Sequence, residues 1–184
     1  NLSIPALAYV DDIMGAGRKE NIKANGQNLK RMETRKKYTF NNSNGKSHYI
    51  IIRTGRQKEE ELNIEVEKGK IQKASEYKYL GTYITSDGTL ARHIKEVKKK
   101  VKGMMVELRR LGDESLTGKL SSSIQLLMYE RTILPAITYN LESWSYWRKS
   151  DWESLERIQA DALRSMFRLP SSTPYWGLIG ETGL

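Results

Sequence analysis

At 184 residues the chain suits one compact domain or two small lobes, and a large multidomain enzyme is excluded. Apolar residues make up 38% and charged residues 29%, enough to bury a core under a solvated surface, while the absence of cysteine and the presence of only two histidines leave oxygen as the donor to any metal. Lysine and arginine total 31 against 22 acids, a net charge of +9 that favours a polyanionic partner, either nucleic acid or an acidic membrane surface.

Residues 4–10 form a short apolar run that predicts a buried strand. Asp11 and Asp12 interrupt it, and an apolar run resumes at Ile13, giving a hairpin with two acids at its tip. Residues 18–37 carry eight basic and two acidic residues with Ile22, Leu29 and Met32 at loosely helical spacing, which predicts a basic surface helix weakened by Gly26. Turn formers fill 41–45, and His48 to Arg53 then reads as a β-branched strand with Lys46 at its entrance. Leu62, Ile64 and Val66 alternate with polar residues and Ile71 restarts the pattern, predicting a hairpin over about 62–73. Tyr77 to Thr85 reads as one further strand, with Tyr77, Tyr79 and Tyr83 on one face, Leu80 and Ile84 on the other, and Gly81 interrupting the aromatic face.

The Ser86-Asp87-Gly88 turn marks a lobe boundary, because every later element is helical in pattern. Ile94, Val97, Val101, Met104, Met105, Leu108 and Leu111 form the apolar face of a helix whose opposite side is cationic. A second helix runs from about Lys119 until Pro135 ends or kinks it, and a third starts at Ser150 or Asp151, either of which suits an N-cap, and continues to Phe167. All four tryptophans fall in this second lobe and are expected in its core. No apolar run approaches the roughly 20 residues of a membrane span, and the start has no basic segment ahead of an apolar one. With Asn1 first and no evident stop at Leu184, the chain reads as a piece of a longer protein.

The sharpest chemical feature is Ala8-Tyr9-Val10-Asp11-Asp12, in which a strand delivers two adjacent carboxylates. Adjacent anions repel, and a divalent cation relieves the repulsion; Mg²⁺ prefers carboxylate oxygen and leaves room for phosphate oxygens. An ordinary acidic turn is the plainer reading of the dipeptide alone.

Several segments, in order, resemble the reverse transcriptases of non-LTR retrotransposons. Tyr9-Val10-Asp11-Asp12 is similar to that family's catalytic hairpin, and Asn44-Gly45-Lys46-Ser47 to its lysine-bearing segment before a palm strand. Tyr77-Lys78-Tyr79-Leu80-Gly81 resembles the palm-end strand that cradles the primer terminus. Leu134-Pro135-Ala136-Ile137-Thr138-Tyr139, with Trp144 and Leu155-Glu156-Arg157-Ile158-Gln159, is similar to the thumb and post-thumb region. The resemblance implies an α+β fold: the C-terminal part of a polymerase palm over 1–88, built of antiparallel hairpins plus a helix, then a helical thumb over 89–184. It implies RNA-directed DNA synthesis with Asp11 and Asp12 as Mg²⁺ ligands (Mn²⁺ able to substitute), Lys46 near the triphosphate, and Tyr79, Leu80 and Gly81 near the primer end. Partners would be an RNA template, a DNA primer and dNTPs, with no membrane, and the location nuclear. The family's third metal-binding aspartate and its nucleotide-binding fingers lie upstream of this stretch, so this chain by itself is expected not to polymerise DNA.

Read from the residues alone, Lys95, Lys98, Lys99 and Lys102 project from the first helix of the second lobe and can track a phosphate backbone without reading sequence. The competing reading is a non-catalytic basic nucleic-acid-binding module whose acidic hairpin is only a turn.

Overall fold

Short alternating segments give the first part of the chain its strands, and the length of each strand is set by the partner available to pair with it. The computed structural model describes residues 6–9, 12–18, 21–22, 35, 46–52, 62–66, 69–111, 121–144 and 147–183. The predicted basic helix over 18–37 and the turn at 41–45 lie almost wholly outside these residues. The described elements form a mixed α+β fold, with small sheets followed by helices.

Two compact units are present, one of residues 1–77 with 85–88 and one of residues 78–84 with 89–184. In the first, β1 (Ala6–Tyr9) pairs antiparallel with β2 (Asp12–Gly15), Tyr9 opposite Asp12. A second sheet has the order β3-β5-β4, with β4 (Ile64–Val66) antiparallel to β5 (Gly69–Lys73) and β3 (His48–Tyr49) parallel to it. The strand expected over 48–53 is therefore only two residues long. Tyr49 stands opposite Lys73, where β5 ends, and one last bond from the Ala74 N–H to the Tyr49 carbonyl (2.9 Å) closes the ladder. Among the described residues Ile50 to Ile52 have no strand to pair with.

Alternation in β4 works as expected, with Ile64 buried and Glu65 exposed, and Leu62 joins it in the core. The Tyr49 hydroxyl accepts the Leu62 N–H (3.1 Å), and the Tyr77 hydroxyl donates to the Lys46 carbonyl (2.8 Å).

The strand expected over 77–85 is instead two strands, β6 (Glu76–Tyr79) and β7 (Thr82–Thr85), forming a two-stranded sheet. Leu80 and Gly81 both take left-handed backbone, φ 45° and 84°, as the centre of a two-residue type I′ hairpin turn requires. A period-two pattern cannot report this reversal, because the alternation resumes after it.

The second unit is built on α1 (Ala91–Leu111), which packs along α4 (Lys149–Met166). Ile94, Val97, Val101 and Met105 of α1 meet Leu155, Ile158, Ala162 and Leu163 of α4 in one core, which Tyr129, Ile133 and Ile137 complete. Each fully buried aliphatic side chain there contributes on the order of 2 kcal/mol of transfer free energy.

Between these helices the chain runs through α2 (Ser122–Met128), a π-helical turn (Tyr129–Ile133) and α3 (Leu134–Thr138). Pro135 stands in the first turn of α3, directly after the π-helical turn that interrupts the α-helical pattern at 129–133. The widened turn before it, with the Leu134 N–H donating to the Tyr129 carbonyl, absorbs the mismatch. Helix α4 begins at Lys149, one or two residues before the expected caps, because Asp151 acts from inside the first turn: its carboxylate accepts the Arg148 N–H at 3.0 Å. The last helix, α5 (Tyr175–Thr182), packs on α4 through the buried Leu178 and ends at left-handed Gly183.

The tryptophans depart from expectation. Trp144 and Trp147 are half-buried against the core, but Trp152 is about half exposed and Trp176 is 78% exposed. Trp152 stacks on Trp147 with ring centroids 4.5 Å apart, so its apolar face is shared with a ring that itself packs against the core. Among the described residues no helix is long and apolar enough to cross a membrane.

His93 on α1 is 3% exposed, stacks on Trp144, and has neither ring nitrogen hydrogen-bonded. Burial lowers its pKa below 6.5, so the ring is neutral in the folded protein. Above pH 6.5 folded and unfolded states are both neutral and the stability is fully present. As the pH falls below that value the unfolded state takes a proton first, and stability drops by up to about 1.4 kcal/mol per pH unit until the folded-state pKa is passed. His93→Leu is expected to flatten the stability profile between pH 6.5 and 5, measured by urea denaturation at several pH values.

Candidate nucleic-acid interface

At about 100° per residue, α1 directs Ile94, Val97, Val101, Met105 and Leu108 along one arc. Lys95, Lys98, Lys99 and Lys102 fall on the arc that flanks it, spread over about 100° of the circumference and about 10 Å of the axis. All four are exposed, and none forms an ion pair with a described acid. The helix's own acids stand to one side and are already occupied: Glu96 pairs with Arg92, and Glu107 with Arg110 at 3.2 Å. The stripe is thus a row of solvated cations with no interposed carboxylate, able to meet a line of phosphates.

The same field reaches the β6–β7 hairpin. Arg92 lies over the Tyr83 ring (4.4 Å from its centroid), and the Lys78 ammonium is 5.8 Å from that ring. Glu96 records the cluster: its pKa is lowered first by the hydrogen bond from Arg92, then by the charges of Arg92, Lys99 and Lys78. Sequence reasoning missed Lys78 and Tyr83 as neighbours of the lysine stripe. The alternation of β6 signals that Lys78 points away from Tyr77 and Tyr79, but only the hairpin reversal brings it toward α1.

The structure locates the remaining sequence-expected residues as follows. Tyr79 is half-buried with its hydroxyl enclosed, whereas Leu80 and Gly81 form the exposed turn of the hairpin. These three belong to the unit that carries the lysines. Lys46 is exposed just before β3 and belongs to the other unit, as does Asp12, which is exposed at the start of β2. Asp11 lies outside the described residues.

Asp12 offers the carboxylate oxygen that Mg²⁺ favours. Among the described residues no three acids or histidines gather around a common point. What the described arrangement can do is hold a polyanion along α1, with a rigid turn nearby. Comparison with family models, with curated proteins and with solved structures finds no match for this chain.

Proposed function

We propose that this chain is the duplex-holding, C-terminal portion of a reverse transcriptase of the non-LTR retrotransposon type, grasping an RNA–DNA duplex beside the primer terminus. The observation that carries the reading is the exposed cationic stripe of Lys95, Lys98, Lys99 and Lys102, outside any ion pair with a described acid, on a well-packed helix. A stripe of this kind recognises backbone charge and not base sequence, which is what an enzyme that copies any template needs. The segments named above support the same reading by resemblance. In it, Asp11 and Asp12 supply carboxylate oxygens toward Mg²⁺, Lys46 faces the triphosphate, and Tyr79 to Gly81 approach the primer end.

Metal dependence separates this reading from a basic module that has only an acidic turn. Titration with Mn²⁺, followed by NMR, is expected to broaden the resonances around Asp12 selectively and before any others, and Asp12→Asn is expected to remove the effect. Diffuse broadening spread over many surface acids would favour the non-catalytic module.

A further inference from the structure

The cationic stripe of α1 does not end at Lys102. Arg109 stands seven residues further on, two turns and about 10 Å along the same arc, and there it meets the rim of a small open cup. Met105 and Leu108 of α1, Met128 at the end of α2 and Met166 at the end of α4 line the cup, Arg109 and Arg168 flank them, and no acid contributes to the lining. Its volume is about 40 Å³, room for the edge of one planar ring or the tip of one side chain.

The two arginines differ from those beside them. Arg164 is committed inside the unit, its guanidinium donating to the Thr173 carbonyl (2.8 and 3.0 Å) and to Asp161, and Arg110 pairs with Glu107. Arg109 and Arg168 are exposed, and neither forms an ion pair with a described acid. Arg168 also takes the left-handed backbone, φ 55°, that closes α4; the Leu169 N–H donates across it to the Arg164 carbonyl (2.8 Å), and helices usually fill this place with glycine. An arginine held there against its backbone preference puts a cation at the edge of the cup where glycine would leave none.

Three thioethers and two guanidinium groups around one opening narrow the choice of ligand. Both groups make favourable contacts with aromatic rings, and guanidinium also binds phosphate. A planar ring joined to phosphates is a nucleotide, and a polyanion lying on the lysines reaches the cup without leaving α1. Bases inside a duplex are stacked and paired, so a cup in a protein surface takes an unpaired one.

We propose that this cup receives one unpaired base of a nucleic-acid strand held by the lysine stripe, with Arg109 and Arg168 on the adjoining phosphates. This rests on the duplex-holding reading above and adds to it a grip on single-stranded nucleic acid beside the duplex.

The test uses two RNA–DNA duplexes with short RNA tails at both ends, identical except that the tail nucleotides of one lack their bases. Charge is then equal and the bases alone differ. The wild-type chain is expected to bind the base-bearing form about threefold or more tightly by fluorescence anisotropy. With ¹³C-methyl labelling of methionine, the base-bearing tail is expected to shift Met105, Met128 and Met166 by ring current and leave Met14 in place, while the abasic tail shifts none of them. Ser165→Leu, which enlarges a side chain on the cup's wall, and Arg168→Gly are each expected to lose at least half of the preference. Glycine suits the left-handed position, so Arg168→Gly decides the matter should Ser165→Leu not fold by circular dichroism. A wild-type chain that binds both forms alike with the three methyls unmoved, or a preference that survives both substitutions, would overturn the inference and leave the duplex-holding reading standing. Methyls that respond to N-acetyl-phenylalanyl-glutamate and not to the base-bearing tail would overturn it in favour of an acidic peptide. A wild-type chain that binds neither duplex would overturn both.

Discussion

Replacing Lys95, Lys98, Lys99 and Lys102 together by glutamine is expected to lower affinity for an RNA–DNA duplex by about 10²–10³-fold near 0.1 M salt. The slope of log K against log salt should flatten by about 3 to 4, since each neutralised phosphate contributes roughly 0.9 through counterion release. Fluorescence anisotropy between 50 and 300 mM salt measures both quantities. The four side chains are exposed and outside ion pairs, so the melting temperature should move little. If the quadruple variant binds as the wild type does, with an unchanged slope, the stripe is a solvated face and the duplex lies elsewhere.

Leu163→Ala is expected to be the most damaging of the core truncations. Leu163 is fully buried where α4 meets α1, and deleting its isobutyl group removes transfer free energy and leaves a cavity, together about 3–5 kcal/mol. For a helical unit of this size that is a fall in melting temperature on the order of 10–20 °C. Leu127→Ala makes the same chemical change on α2 at a side chain that is half exposed, and should cost well under 1 kcal/mol. Thermal unfolding of the pair isolates burial from composition, and equal losses would show that the α1–α4 contact is not the core.

The α1–α4 core also carries an electrostatic consequence. Tyr129 is completely buried in the π-helical turn, and burial raises its pKa to about 12 despite the opposing influence of Gln159 nearby. Gln159 is engaged by Tyr175, whose hydroxyl donates to its Oε1 at 3.1 Å. Tyr129 and His93 thus both stay neutral at physiological pH, so neither adds a charge to the unit's interior.

How much of this was readable beforehand depended on the range of the interaction. The apolar spacing of α1, the exposed position of its lysines and the hairpin of β4 and β5 follow from local periodicity, which a sequence states directly. Two features escaped it for one shared reason: each needs a partner distant in the chain. The strand at His48 stops after two residues because β5 runs out.

The turn at Leu80 and Gly81 shows the same division most clearly. Residues 77–85 alternate as one strand would, and a left-handed leucine is disfavoured locally. Hydrogen bonds from Tyr139 and Asn140, some 60 residues later, accompany the reversal and brace it. Composition and periodicity by themselves determined a cationic helix over an apolar core, because amphipathicity is encoded every three or four residues. Tertiary structure decided where the chain reverses, which tryptophans meet solvent and which cations surround Glu96, because long-range contacts outweigh local preferences of about 1–2 kcal/mol.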